Sequence, residues 1–196
     1  IYHTIQNIGT ENFTVNARVQ VPTANPTTGY GIMALSDVTT SGARAYNFNV
    51  YIHTTGYLTV LLYGATVNDY TLGSVASFIS NYGGKTVDLA IVRDSATPSL
   101  TIYINGISQT VIPLTGGTPP TWAGTITSTY AILGVGGSAG ATAIYKGKIY
   151  KDSLFNYAMT QAEVRNLREI GIPFADQWGN MTKIISATTP TLNGGL

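Results

Sequence analysis

No cysteine occurs in the 196 residues, so neither a disulfide framework nor a thiolate metal site holds this chain together. Stability has to come from burial of a core. Lack of cysteine suits a cytosolic protein, and it suits equally an extracellular particle protein assembled in a reducing cytoplasm. Charge is scarce as well: 10% of residues are Asp, Glu, Lys or Arg, and the formal net charge is +1. The basic residues are scattered and form no patch for a phosphate backbone, which argues against nucleic acid as a partner. No apolar run is long enough to cross a bilayer, so membrane insertion is not expected, and the first residues show no signal-peptide pattern. The two histidines, His3 and His53, do not stand at metal-ligand spacing.

Thr, Gly, Tyr and Asn are plentiful instead, a composition that favours short strands and many turns over helices. Phe13, Val15, Ala17, Val19 and Val21 alternate with polar residues and predict a first strand, ended by Pro22. "YGIMAL" (30–35) predicts another. "YNFNVYIH" (46–53) and "YLTVLLY" (57–63) flank "TTG", and Gly56 suits the left-handed position of a three-residue hairpin loop. Closing His53 opposite Tyr57 sets Phe48, Val50 and Ile52 beside Leu62, Val60 and Leu58, whereas a slip of one residue mixes apolar with polar side chains on both faces.

In "VDLAIVRDSATPSLTIYINGISQTVI" (87–112), Val87, Leu89 and Ile91 form one alternating run and Leu100, Ile102 and Ile104 a second. "DSATPS" breaks the first run. Asn105-Gly106 predicts a type I′ hairpin turn, with Ile107, Gln109 and Val111 on the return strand. A long Pro/Gly loop carrying Trp122 comes next (113–124). "YAILGVGGS" (130–138) and "AIYKGKIYKDSLFN" (143–156) predict two more strands. Lys151 and Ser153 spoil the alternation of the second, so a bulge or a sheet edge is expected there. One short helix is expected after them. Thr160 and Glu163 make a capping box, Val164, Leu167 and Ile170 an apolar stripe, and Gly171 with Pro173 a stop.

"NFTVNARVQV", the 87–107 segment, "ILGVGG" and "YKGKIYKDSLFNYAMTQAEVRNLREIG", taken in order, resemble the laminin-G-like, concanavalin A-like lectin/glucanase superfamily over residues 10–171. The resemblance implies an all-β, two-sheet antiparallel jelly-roll sandwich with a short C-terminal helix. The domain would span residues 1–175, with 176–196 a tail or the start of a further module. "IPFADQWG" (172–179) resembles the segment that succeeds such modules in tail or fibre proteins of bacteriophages.

Polysaccharide-cleaving members of that superfamily are similar to one another in carrying Glu-x-Asp-x-x-Glu on one strand, which sets an acid and a nucleophile a few ångströms apart. Glu11, Asp37, Asp69, Asp88, Asp94, Asp152, Glu163, Glu169 and Asp176 never form such a pair here. No G-x-S-x-G occurs, and "GVGG" opens no helix, so neither a serine nucleophile nor a nucleotide loop is present. Catalysis is therefore not expected, and a glycoside hydrolase or lyase is a remote alternative.

The hairpin register gathers Asn47, Asn49, Tyr51, His53, Tyr57, Thr59, Leu61 and Tyr63 on the face opposite the core. Tyr, Asn and His suit sugars, whose C–H faces stack on rings and whose hydroxyls pair with amides. Asn47, Asn49, Tyr51, His53, Tyr57 and Tyr63 are therefore the candidate ligand-binding residues, set against the plain fact that tyrosine pairs also stabilise sheets. Rim loops 37–45, 64–71 and 114–124 form a second candidate, with Trp122 as stacking platform or as a cap on the core. The resemblance also implies calcium at the rim. Asp37 and Asp69, with Asn68, are the candidate loop ligands, but calcium takes six to eight oxygens and both aspartates fit better as turn residues. No other cofactor is expected. Asn12 and Asn180 stand in N-x-T sequons, which matter only on a secretory path.

These features predict a non-catalytic recognition module of a surface or virion protein, binding glycan or a host-surface receptor and gaining strength from several copies. Its other partners would be subunits of the parent assembly, including copies of itself, and its place the cell exterior or the virion surface. The alternative is a structural decoration or spacer domain that binds no sugar.

Overall fold

Alternating apolar residues become paired strands where two apolar faces can stack on each other. The computed structural model describes residues 2–4, 12–36, 46–63, 70–96, 99–113, 130–134 and 144–170. Along the chain lie β1 (Tyr2–Thr4), β2 (Phe13–Gln20), β3 (Tyr30–Ser36), β4 (Tyr46–Ile52), β5 (Leu58–Tyr63), β6 (Tyr70–Val75), α1 (Phe78–Tyr82), β7 (Thr86–Asp94), β8 (Ser99–Ile104), β9 (Ile107–Ser108), β10 (Ile112–Pro113), β11 (Tyr130–Leu133), β12 (Lys148–Phe155) and α2 (Gln161–Ile170). They form a seven-stranded sheet, β1-β11-β3-β4-β5-β6-β10, and a five-stranded sheet, β12-β2-β7-β8-β9, antiparallel throughout. This is the expected two-sheet jelly-roll sandwich.

The core lies between the sheets. Phe13, Val15, Ala17, Val19 and Val21 are all buried, as their alternation predicts, and they face Phe48, Val50, Ile52, Leu58 and Val60. Phe13 and Phe48 bridge the gap as an edge-on ring pair, centroids 5.5 Å apart and planes at 88°. The hairpin register is the expected one: Phe48 pairs with Leu62, Val50 with Val60 and Ile52 with Leu58, and Gly56 turns with φ 80°. A β-carbon at Gly56 would meet only the end of the exposed Asn25 side chain, which can move aside, so the turn needs glycine chiefly for its φ.

Asn105 and Gly106 adopt φ of 53° and 74°, the type I′ turn. The return strand is shorter than expected. It holds Ile107 and Ser108 alone, Ile107 is 59% exposed, and at Ile112 the chain joins the other sheet against Ser74. Period-2 alternation persists across a sheet switch, so the pattern does not mark where the chain changes partner. The helix α1 has no counterpart among the sequence expectations. It is a turn and a half long, too short for a 3.6-residue period to show, and exists because Phe78 and Ile79 plug the core.

Of the two expected later strands, the first is Tyr130–Leu133 and the second Lys148–Phe155, while residues 135–143 and the expected stop at Gly171 and Pro173 lie outside the described residues. The β12 strand lies at a sheet edge and its register shifts between Ile149 and Lys151. Glu163 Oε2 accepts from the Thr160 backbone N–H at 2.8 Å, and the Glu163 N–H donates to Thr160 Oγ1 at 3.3 Å, completing the capping box. Val164 and Leu167 of α2 pack with Met159 and Phe155 over Ala90, Val92 and Tyr103, covering the outer face of the five-stranded sheet. Arg165 Nε and Gln161 Nε2 each donate to the Gly106 carbonyl at 3.3 Å, so the helix also clamps the hairpin turn.

Candidate functional site

Residues facing away from the core on β3, β4 and β5 meet in rows: Ala34 opposite Asn49, Asn49 opposite Leu61, and Tyr51 opposite Thr59. Asn49 and Thr59 are 0% exposed and Tyr51 5%. The expectation that Asn49 and Tyr51 look out into solvent is therefore wrong, and Tyr51 presents no free ring for stacking. Alternation separates the two faces of a strand, but it carries no information about whether the second face is covered too.

Asn49 has neither amide atom hydrogen-bonded, and Thr59 Oγ1 is also without a partner. The five-stranded sheet treats its buried asparagine differently: Asn16 Nδ2 donates to the Leu89 carbonyl at 2.8 Å. On the same strand Thr14 Oγ1 donates to Tyr157 O at 2.8 Å and accepts from the Met159 N–H at 3.0 Å. A buried polar atom left unpaired costs about 1–3 kcal/mol. Three such atoms on two facing strands are a local departure from what the fold achieves elsewhere.

The β4–β5 hairpin carries the face to one end of the sandwich. His53 and Tyr57 are half-buried there; the His53 ring lies 6.4 Å from that of Tyr51, and its Nδ1 accepts from the Thr55 N–H at 3.3 Å. At this end β2 finishes and β3, β7 and β12 begin. The loop from Val21 to Gly29, the turn at Gly84 and the segment Tyr145–Gly147 surround a cleft of about 450 Å³, lined among others by Gln20, Pro22, Thr23, Tyr30 and Lys146. Tyr30 packs on the core and lines the cleft at once. Tyr145 stands behind it and its hydroxyl donates to the Gln20 carbonyl at 2.9 Å.

Burial pushes the Tyr145 hydroxyl well above the ordinary tyrosine range, and it raises Tyr103 and Tyr157 too, the latter helped by the nearby Glu163 carboxylate. Unfolded tyrosine loses its proton near pH 10.0 while these buried ones hold theirs. Above that pH the unfolded chain binds fewer protons than the folded one, so stability falls as pH rises. Urea midpoints taken from pH 8 to about pH 11 are expected to drop beyond pH 10, and Tyr145→Phe is expected to flatten that drop. Equal slopes in the two proteins would disprove the assignment to Tyr145.

Asn47 and Tyr63 are located through their backbones. Asn47 falls beside the register shift between Leu35 and Ser36, and Tyr63 pairs with Tyr70 of β6. Trp122, Asp37 and Asp69 lie outside the described residues, and with them the proposed platform and calcium ligands. Lys146, Tyr30 and Thr23 were not foreseen, because nothing local in the sequence joins positions 20–30, 84 and 146.

Several carboxylates serve the fold. Asp88 lies 3.8 Å from Arg18 Nε and 3.9 Å from Arg168 Nε, Asp94 Oδ1 accepts from the Ala96 N–H, and Glu163 caps α2. No cluster of three or more His, Cys, Asp or Glu occurs among the described residues, and no described helix is long and apolar enough to cross a membrane.

A family model for the concanavalin A-like lectin/glucanases superfamily matches residues 1–165. The chain belongs to that superfamily. Its fold recurs in the receptor binding domain of botulinum neurotoxin C/D mosaic serotype, with TM-score 0.60 and 14% identity over 85% of this chain and 37% of that one. The binding domain of botulinum neurotoxin DC, solved in complex with rat synaptotagmin II, is similar with TM-score 0.58 and 17% identity over 87% and 39%. The NanB sialidase from Streptococcus pneumoniae is similar with TM-score 0.56 and 20% identity over 85% and 27%. This concanavalin A-like chain thus spans well under half the length of the proteins it matches in structure. No curated protein matches it in sequence.

Proposed function

We propose that this domain is a non-catalytic recognition module of a surface or virion protein and binds a glycan or cell-surface receptor over β4 and β5. The observation that carries the reading is the set of unpaired polar atoms on Asn49 and Thr59. A fold that satisfies Asn16 and Thr14 keeps these three at a cost, and selection retains such costs where a group has a second use. Both side chains are covered in this structure, so a ligand with hydroxyl groups supplies the missing partners only where it displaces that cover. His53 and Tyr57, half-buried at the hairpin end of the same two strands, add ring contacts once the ligand is seated. Two of the structural neighbours are receptor or binding domains of neurotoxins, which agrees with a binding role.

Thr59→Val separates structure from use, because it removes the hydroxyl and keeps the shape. Folding stability is expected to rise by about 1 kcal/mol, read from urea midpoints. Binding to glycan arrays or to cells is expected to weaken by roughly 3- to 10-fold, the loss of one neutral hydrogen bond. A stabilised variant that binds as tightly as the parent refutes the site. Absence of binding by the parent on arrays and cells, together with a stable oligomer in solution, points to the spacer alternative.

A further inference from the structure

We propose that the cleft at the hairpin end of the sandwich is a separate subsite for an anionic saccharide, held through Lys146. The proposal takes over from the preceding reading only that the ligand is a sugar; it stands on other residues. The cleft, about 450 Å³, is shallow and open to solvent, so it would cover one side of a sugar ring rather than enclose it. It lies where the two sheets open at their ends, with Gln20 contributed by one sheet and Tyr30 by the other. Pro22 lines one wall, and Gly147 is pressed against the Gln20 carbonyl and the Tyr145 ring at another.

Charge decides the ligand class. Lys146 is exposed and lines the cleft, and none of the lining residues is acidic. Lys85 and Lys148 stand one residue beyond the lining glycines Gly84 and Gly147. Lys85 Nζ donates to the Asn81 carbonyl at 2.9 Å, whereas Lys146 is engaged by none of the described hydrogen bonds or ion pairs. Asp94 ends β7 at the opposite end of the sandwich, and Asp88 is flanked by two arginines. Among the described residues, the charges that line the cleft or adjoin its lining in sequence are therefore lysines, and a positive surface draws anions. Half-buried Tyr30 offers ring surface to a sugar's C–H face, and Thr23 with the Gln20 side chain offers hydroxyl and amide partners. A carboxylate on the sugar completes the match with the Lys146 ammonium.

The test uses a matched pair, methyl β-D-glucuronide and methyl β-D-glucoside, titrated into the ¹⁵N-labelled protein and followed by amide shifts. The glucuronide is expected to move Gly84, Lys146 and Gly147 with millimolar affinity and the glucoside at least roughly tenfold more weakly. Lys146→Glu is expected to abolish the preference and Lys146→Arg to keep it, and added salt weakens the glucuronide alone. Equal binding of the pair, shifts that map elsewhere, or a preference that survives Lys146→Glu overturns the proposal. So does an equal effect from sodium sulfate, which marks a bare anion pocket. Thr59→Val run in the same titration keeps the two sites apart: it leaves the glucuronide shifts in place whichever way the β4–β5 surface behaves.

Discussion

Phe48→Ala is expected to destabilise the domain by about 3–5 kcal/mol, the cost of burying no ring and leaving its space unfilled. Phe48 is fully buried at the centre of the seven-stranded sheet, and its ring meets Phe13 of the other sheet edge-on at 5.5 Å. The chain has no disulfide to share the load. Domains of this size hold only about 5–15 kcal/mol in all, so one ring accounts for a large part of the total. Phe13→Ala is expected to cost a similar amount. The double variant is expected to fall short of the sum by roughly 0.5–1.5 kcal/mol, because the ring pair is lost only once. Urea unfolding gives all three values. Where Phe48→Ala fails to fold, Phe48→Leu supplies a milder member of the series. A cost for Phe48→Ala near 1 kcal/mol would show a core able to collapse around the gap, contrary to this packing.

Gly147→Ala is expected to cost about 3 kcal/mol, at the upper end for overfilling a packed site. A methyl there would fall onto the Gln20 carbonyl oxygen and stand 2.8 Å from Tyr145 Cε1. It would therefore enter the hydrogen bond by which Tyr145 anchors the end of β2. The first contact is backbone, which cannot swing aside as a flexible side chain does. Because Gly147 also lines the cleft, the Ala variant is expected to lose glucuronide binding together with stability, whereas Lys146→Glu loses binding and keeps its urea midpoint. A Gly147→Ala protein with the parent's midpoint would mean that β12 starts further from Gln20 than the structure has it.

These two positions differ in how visible they are in the sequence. Phe48 is legible at once, since Phe48, Val50 and Ile52 alternate against Leu58, Val60 and Leu62 across a three-residue turn whose glycine forces the register. Gly147 sits in "YKGKIY" and announces nothing. Its role comes from a contact with Gln20, more than a hundred positions earlier in the chain.

What the sequence determined by itself is therefore local and periodic: the strands that alternate, the turns at Gly56 and Asn105-Gly106, the capped helix, and the register that sorts residues onto two faces. These arise from backbone geometry within a few residues, where period and φ leave little choice. Only the tertiary structure decided that Asn49 and Tyr51 are covered, that the strand after Gly106 switches sheets, and that Gln20, Tyr30 and Lys146 meet around one cleft. Burial and proximity of that kind are set by which distant segments stack, and a one-dimensional pattern holds no record of what lies on the far side of a strand.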